Sequence, residues 1–301
     1  MLEKFVNIDT IADLHHYYNY GSPRHPLITI IDLKAVKTRN RGVEDAFYRL
    51  GLYTIVFKKF KGELRYGRST YDFQDGSLMF AAPNQVLSPS ENTVIEEGWF
   101  LAFHPDLLYG SLLGKNIGSY SFFRYDVNEA LHISDAERKT LEECIQKIAV
   151  EYSQNMDKHT QGLIVSNLEL MLQYCDRFYN RQFLTRSKVN NDFIQQFEYL
   201  LQNYFESDDL ADKGLPEVKY FAEKLNLSAN YLSDLLNKYT GKTTIEHIHL
   251  QLVEKAKSIL SGSNKSVSEI AYSLGFDHPS HFSKIFKMKT GKSPKNFRIA
   301  Q

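Results

Sequence analysis

Between residues 216 and 298, apolar positions recur at helical spacing in the same order twice. Val218, Phe221, Ala222 and Leu225 define one face of a short helix, and Val267, Ile270, Ala271 and Leu274 define another. A turn follows each. Ser228 is a natural N-cap for the helix after the first turn; in the second turn Gly275 permits the reversal and Asp277 or Ser280 can cap. The following helices bury Leu232, Leu235, Leu236 and Tyr239 in one copy and Phe282, Ile285 and Phe286 in the other. Both end on Thr-Gly-Lys, at 240–242 and 290–292, where the glycine suits a left-handed C-cap. The second copy carries one extra residue in its turn.

A connector from about Thr244 to Leu260 repeats the period through Ile245, Ile248, Leu252, Val253, Ala256, Ile259 and Leu260. As a helix it spans on the order of 25 Å. It can therefore hold the two second helices at roughly one turn of duplex DNA, about 34 Å. The outer faces of those helices are polar. Asn230, Ser233, Asp234, Asn237 and Lys238 line the first, and Ser280, Ser283, Lys284 and Lys287 the second. Asn pairs with adenine, Asp accepts from cytosine and Lys donates to guanine, so these faces have base-reading chemistry. Gly241-Lys242-Thr243 and Gly291-Lys292-Ser293 imitate the end of a phosphate-binding loop. The glycine that motif needs five residues earlier is replaced by Leu236 and Phe286, so nucleotide hydrolysis is not supported.

The last third of the chain, closing on GFDHPSHFSKIFKMKTGKSPKNFR, resembles the DNA-binding domain of the AraC/XylS family of bacterial transcription regulators. The resemblance implies that Asn230, Ser233, Asp234 and Asn237 face bases from the first reading helix. Ser280, His281, Ser283, Lys284 and Lys287 would do so from the second. Asp234 departs from the basic residue many relatives place on that face, which favours base reading over phosphate contact there. The resemblance also implies a promoter as partner, RNA polymerase as a second partner, and activation more often than repression.

Upstream the period changes. From Leu27 to His104, short runs rich in Ile, Val, Phe and Tyr alternate with turn residues such as Lys61-Gly62, Asp75-Gly76, Pro83-Asn84 and Pro89-Ser90, which predicts an antiparallel sandwich or barrel. Helical patterns return after Ser134, where Ser134 and Glu137 make a capping box, and continue through Leu163 to Cys175. This layout is similar to the cupin-type sensor domain of the same family. The expected architecture is thus α+β with two domains: residues 1–180 a cupin-like antiparallel barrel with a helix pair, 181–191 a polar and basic linker, and 192–301 an all-α DNA-binding domain. Some apolar surface of the helix pair is a candidate homodimer contact.

Metal-binding cupins use two histidines one residue apart, and no His-x-His occurs in this β region. His15 and His16 are adjacent, so on a helix they point apart. No metal or cofactor is expected, and an empty barrel holding a small-molecule effector is the better reading. Arg49, Tyr53, Arg65, Tyr66 and Trp99 are its candidate contacts by chemistry alone. The alternative, a cupin-fold enzyme or metal-binding protein with a helical appendage, lacks a metal triad or a nucleophile with a base.

Charge and cysteines add less. Lysine and arginine balance aspartate and glutamate at 36 each, so no global basic signature exists. A local one does, in the acid-free run Lys284, Lys287, Lys289, Lys292, Lys295 and Arg298, suited to phosphate contact. Two cysteines, Cys144 and Cys175, fall in helical segments and suggest a reducing cytoplasm. No run of about 18 apolar residues indicates a membrane span.

Overall fold

The computed structural model describes residues 4–33, 46–60, 63–66, 69–72, 76–87, 95–126, 129–207, 210 and 213–299. It divides into two units, Met1–Thr185 and Arg186–Gln301. The turn signals at Lys61-Gly62, Asp75 and Pro89-Ser90 lie outside the described residues.

In the first unit the central sheet contains β2 (Ile28–Asp32), β4 (Tyr53–Phe60), β7 (Ser77–Ala81), β9 (Ile95–Phe103) and β10 (Leu131–His132), in the order β10-β7-β4-β9-β2, all antiparallel. A three-stranded sheet joins β1 (Lys4–Ile8), β3 (Ala46–Leu50) and β8 (Val86–Leu87), with β1 and β3 parallel, and β5 (Glu63–Tyr66) pairs with β6 (Ser69–Asp72) alone. The expectation of a closed antiparallel barrel is corrected here. Closure requires the edge strands of the sheets to pair, and among the described residues the three sheets share no strand pairing.

Alternation along the central strands still sorts the faces. Ile31 and Ala102 pack against Ile8, Leu50 and Leu52 and against Ile11 and Leu14 of α1 (Ile11–Tyr17). A short helix, α2 (Leu112–Asn116), precedes the helix pair α3 (Asp135–Ser153) and α4 (Thr160–Thr185). The Ser134–Glu137 capping box forms at the start of α3 as the sequence indicates. On α4, Gln182 is 1% exposed, and its amide completes the edge of β10, donating to the Ala130 carbonyl and accepting from the His132 N–H. Arg181 beside it donates to the His132 carbonyl and to Glu137. These residues read as linker because they are polar; here they bond inward to a strand edge.

The second unit is helical throughout its described elements. Helix α5 (Ser187–Glu206) begins before the expected Asp192 and is followed by α6 (Val218–Leu225), α7 (Ala229–Thr240), α8 (Thr244–Gly262), α9 (Val267–Ser273), α10 (Pro279–Thr290) and α11 (Pro294–Ile299). Local chemistry ends most of them. Ser228 caps α7 by accepting from Tyr231 N, and Gly241 and Gly291 close α7 and α10 at φ 71° and 77°. Helix α10 is instead opened by His278, with Pro279 in its first turn, and neither Asp277 nor Ser280 caps it. Proline is pre-set for the first helical position, where its missing N–H is no loss. Gly275 is needed as glycine: at φ +79° a Cβ would run into the Leu210 carbonyl and Gly214 Cα.

The repeat extends beyond the helix pairs. Thr240 and Thr290 each hold Oγ1 2.8 Å from a carbonyl four residues back, Leu236 and Phe286, and the single hydroxyl hydrogen is shared with a second acceptor, the carbonyl of Lys242 or Lys292. Fifty positions separate His247 from Phe297. Phe297 packs edge-on against Phe286, whereas His247 packs edge-on against Phe197 and bonds Thr240 Oγ1 through Nε2 at 2.7 Å. Burial, with Lys242 nearby, holds the His247 pKa below its ordinary 6.5, and burial does the same for His249. A histidine whose folded pKa is lowered stabilises the fold above its unfolded pKa and loses that contribution as pH falls below 6.5 toward the folded value. The melting temperature of the chain should therefore drop between pH 7.5 and 5.5, measured calorimetrically, and His247→Phe should flatten part of that slope. An unchanged slope in the variant would show that His247 contributes none of it.

Candidate DNA interface

Helices α7 and α10 owe their placement to apolar faces that are almost wholly covered. Tyr231, Leu232, Leu235 and Leu236 are 0% exposed, as are Phe282 and Phe286. Each of the larger aliphatic side chains contributes on the order of 1.5–3 kcal/mol by leaving water. Rotation of either helix would expose them, so the opposite faces are fixed outward.

On α7 the outward residues are not equivalent. Asn237 and Lys238 are exposed, and Asn230 and Asp234 are half-buried. Ser233 is half-buried as well, and its hydroxyl lies 3.0 Å from Oγ1 of Thr244, which is fully buried at the start of α8. That bond ties one helix to the next and occupies the group the sequence offered as a base reader. On α10, Ser280, His281, Lys284 and Lys287 are exposed and Ser283 is half-buried. His278, exposed at the helix start, sets its ring 5.7 Å from that of His281 in an edge-on contact. The sequence reading missed His278, although a residue directly before a proline that opens a helix is an N-cap by position.

The basic run separates into two groups. Lys284, Lys287, Lys292 and Lys295 are exposed. Lys289 reaches Glu246 of α8 at 3.8 Å, and Arg298 Nε donates to the Leu260 carbonyl at 3.1 Å, holding α11 against the end of α8. Glu246 is held below the usual carboxylate range by the Thr243 N–H and hydroxyl of its own capping box, then by Lys289 and Lys242. Lys255 donates to the Phe205 carbonyl at the end of α5. Thus part of the positive charge serves packing, and the remainder faces outward.

The effector candidates of the first unit do not converge. Trp99 is buried on β9. Tyr53 is half-buried, stacked on Phe103 at 5.2 Å and edge-on to Phe123 at 5.1 Å, on a different rung of the sheet. Arg49 is exposed, and the side chains of Arg65 and Tyr66 lie outside the described residues. His15 uses both ring nitrogens, toward the Gly21 carbonyl at 3.0 Å and Thr29 Oγ1 at 2.9 Å. Among the described residues no group of three or more His, Cys, Asp or Glu could hold a metal. Cys144 and Cys175 are buried and unbridged, and burial pushes both thiols up.

Comparison with known proteins gives matches over part of the chain. Residues 221–300 match the model of a helix-turn-helix domain. The chain is 24% identical over 199 residues to the uncharacterized HTH-type transcriptional regulator YijO of Escherichia coli, covering 64% of this chain and 66% of that one. It is 29% identical over 135 residues to the HTH-type transcriptional activator RhaS of Salmonella paratyphi B, covering 44% of this chain and 46% of the relative. The chain thus spans less than two thirds of the length of either relative. Among solved structures, the C-terminal domain of AraT, a response regulator from Geobacillus stearothermophilus, is 28% identical with a TM-score of 0.31, over 35% of this chain and 84% of that one.

Three substitutions separate reading from packing. Asn230→Ala and Lys284→Ala should each weaken specific DNA binding by about 1–3 kcal/mol. Ser233→Ala should lower thermal stability by about 0.5–1.5 kcal/mol, the usual net worth of a hydrogen bond, with site preference unchanged. Quantitative gel retardation beside thermal unfolding checks all three; a Ser233→Ala protein with altered preference and unaltered stability would reverse the assignment.

Proposed function

With a C-terminal unit that is a helix-turn-helix domain of the AraC type, we propose that the chain is a sequence-specific transcription regulator that reads two adjacent major-groove segments of promoter DNA. Helix α7 presents Asn230, Asp234, Asn237 and Lys238, and helix α10 presents Ser280, His281, Ser283, Lys284 and Lys287. The exposed lysines after α10 contact phosphates. The observation that carries this reading is the second copy: two helices with covered apolar faces and polar outer faces, each closed by the same Thr-Gly-Lys sequence, flank one connector. A single helix pair of this size is more often ordinary packing; a duplicated pair joined by a helix of 19 residues, about 28 Å, suits a repeating groove.

The first unit acts as a sensor in this proposal, a cupin-like module that binds a small-molecule effector and pairs two chains. A stripe on α4 supports the pairing: Leu163 and Leu170 are 46% and 40% exposed, and half-buried Asn167 and Tyr174 continue the same face. Effector binding shifts the population between arrangements of the dimer, which requires different affinity for the effector in each. RhaS is named an activator, and the proposal extends activation, through RNA polymerase, to this chain, working in the cytoplasm.

Gel retardation of the purified full chain on fragments from the promoter upstream of its own operon is the test. One fragment should be retarded at least tenfold more tightly than random duplex at the same salt. Equal affinity for every fragment would contradict sequence-specific reading.

A further inference from the structure

A cleft of about 750 Å3 opens in the first unit between β2 and β9 of the central sheet and helix α3. Its volume falls within the range of small-molecule pockets, ~300–1,000 Å3. Buried Trp99 and half-buried Ile30 line the sheet side, and buried Ile145 the helix side.

Trp99 is the residue with unused chemistry. It is 9% exposed, and its indole Nε1–H is buried without a hydrogen-bond partner. Buried donors in native proteins nearly always have an acceptor, so an orphan on a cleft wall requires explanation. Packing fixes the ring. Trp99 lies opposite Phe57 of β4 with centroids 6.0 Å apart, and the Arg138 guanidinium of α3 sits 6.0 Å over the Phe57 ring. Nε1 is itself covered, so a ligand reaches it only if the wall of the cleft adjusts. Lys139, Gln146 and Lys147 on the rim are exposed and make no hydrogen bond or ion pair among the described residues.

The charges around the cleft nearly cancel. Lys139 and Lys147 stand with Asp32 and Glu143, while Glu142 is drawn to Arg138 Nε at 3.4 Å. Such a rim gives an ion little net attraction, whereas the indole offers an apolar face and one hydrogen to donate.

We propose that this cleft binds a small, flat, uncharged organic molecule carrying a carbonyl group, which lies against the Trp99 ring and accepts the Nε1 hydrogen. The proposal rests on the sensing role of the first unit and gives that role a ligand class. It also moves the site to the helix-covered side of the central sheet, away from the face that packs on β1, β3 and α1.

Trp99 is the only tryptophan of the chain, so the 15N-labelled full-length protein shows one indole N–H resonance. Titration with coumarin, flat, neutral and carbonyl-bearing, should move that resonance saturably. Toluene, which lacks an acceptor, and benzoate, which is charged, should each move it far less at equal concentration. Trp99→Phe keeps a ring and removes the donor, and calorimetry should show coumarin binding about tenfold weaker. Equal movement with toluene, or equal affinity in the variant, would overturn the hydrogen bond. A resonance unmoved by coumarin up to its solubility limit would overturn the site, and needs no variant to fold. The same preparation's gel retardation keeps the outcomes apart: retained DNA preference with a silent indole defeats the cleft alone, whereas lost preference counts against the regulator reading.

Discussion

The second unit depends on the burial of one face of helix α8. Ile248, Leu252, Val253, Ala256 and Leu260 are at most 3% exposed along it, and the helix packs against α5 and α7, which precede it in the chain, and against α9, α10 and α11, which follow it. Neither short helix pair could hold a core of its own, since α6 has 8 residues and α9 has 7, well under the length at which an isolated helix is stable. The connector is therefore the common core of both pairs as well as the spacer between them. Spacing and stability cannot be altered independently in such an arrangement.

Polar chemistry then refines what the apolar faces determine. Thr244, buried at the first turn of α8, receives Ser233 from α7, and Glu246 two residues on in the same turn meets Lys289 from α10. The connector thus holds each reading helix through a different bond: a neutral one between hydroxyls for α7, a half-exposed ion pair for α10. An exposed ion pair of 3.8 Å is worth little, so α10 is positioned mainly by Phe282 and Phe286. The two copies also differ at one equivalent position, where histidine in the first stands for phenylalanine in the second. At that position only the first pair carries a titratable ring.

Much of the second unit was legible because its determinants are local. Helix periods, the Ser228 cap and the glycines after α7 and α10 each depend on a few consecutive residues. The capping boxes Thr243–Glu246 and Ser266–Glu269 have equally local signatures. What misled was polarity. Ser233 and Arg298 are polar and lie on segments that face outward, yet their partners, Thr244 and the Leu260 carbonyl, come from another helix, and nothing at short range announces them. Arg181 and Gln182 read as linker in sequence for the same reason. In the first unit, alternation located strands but could not say which edges pair, so a barrel was expected where the described strands form separate sheets. Residue type alone points to Trp99 in sequence; its unpartnered donor is a tertiary fact.

The most direct measurement of the central claim is hydroxyl-radical footprinting of the full chain on its preferred fragment. Two protected patches per chain, about one helical turn apart and on the same face of the duplex, are the predicted result. One patch, or two patches on opposite faces, would contradict a connector that sets both reading helices against a single side of the DNA.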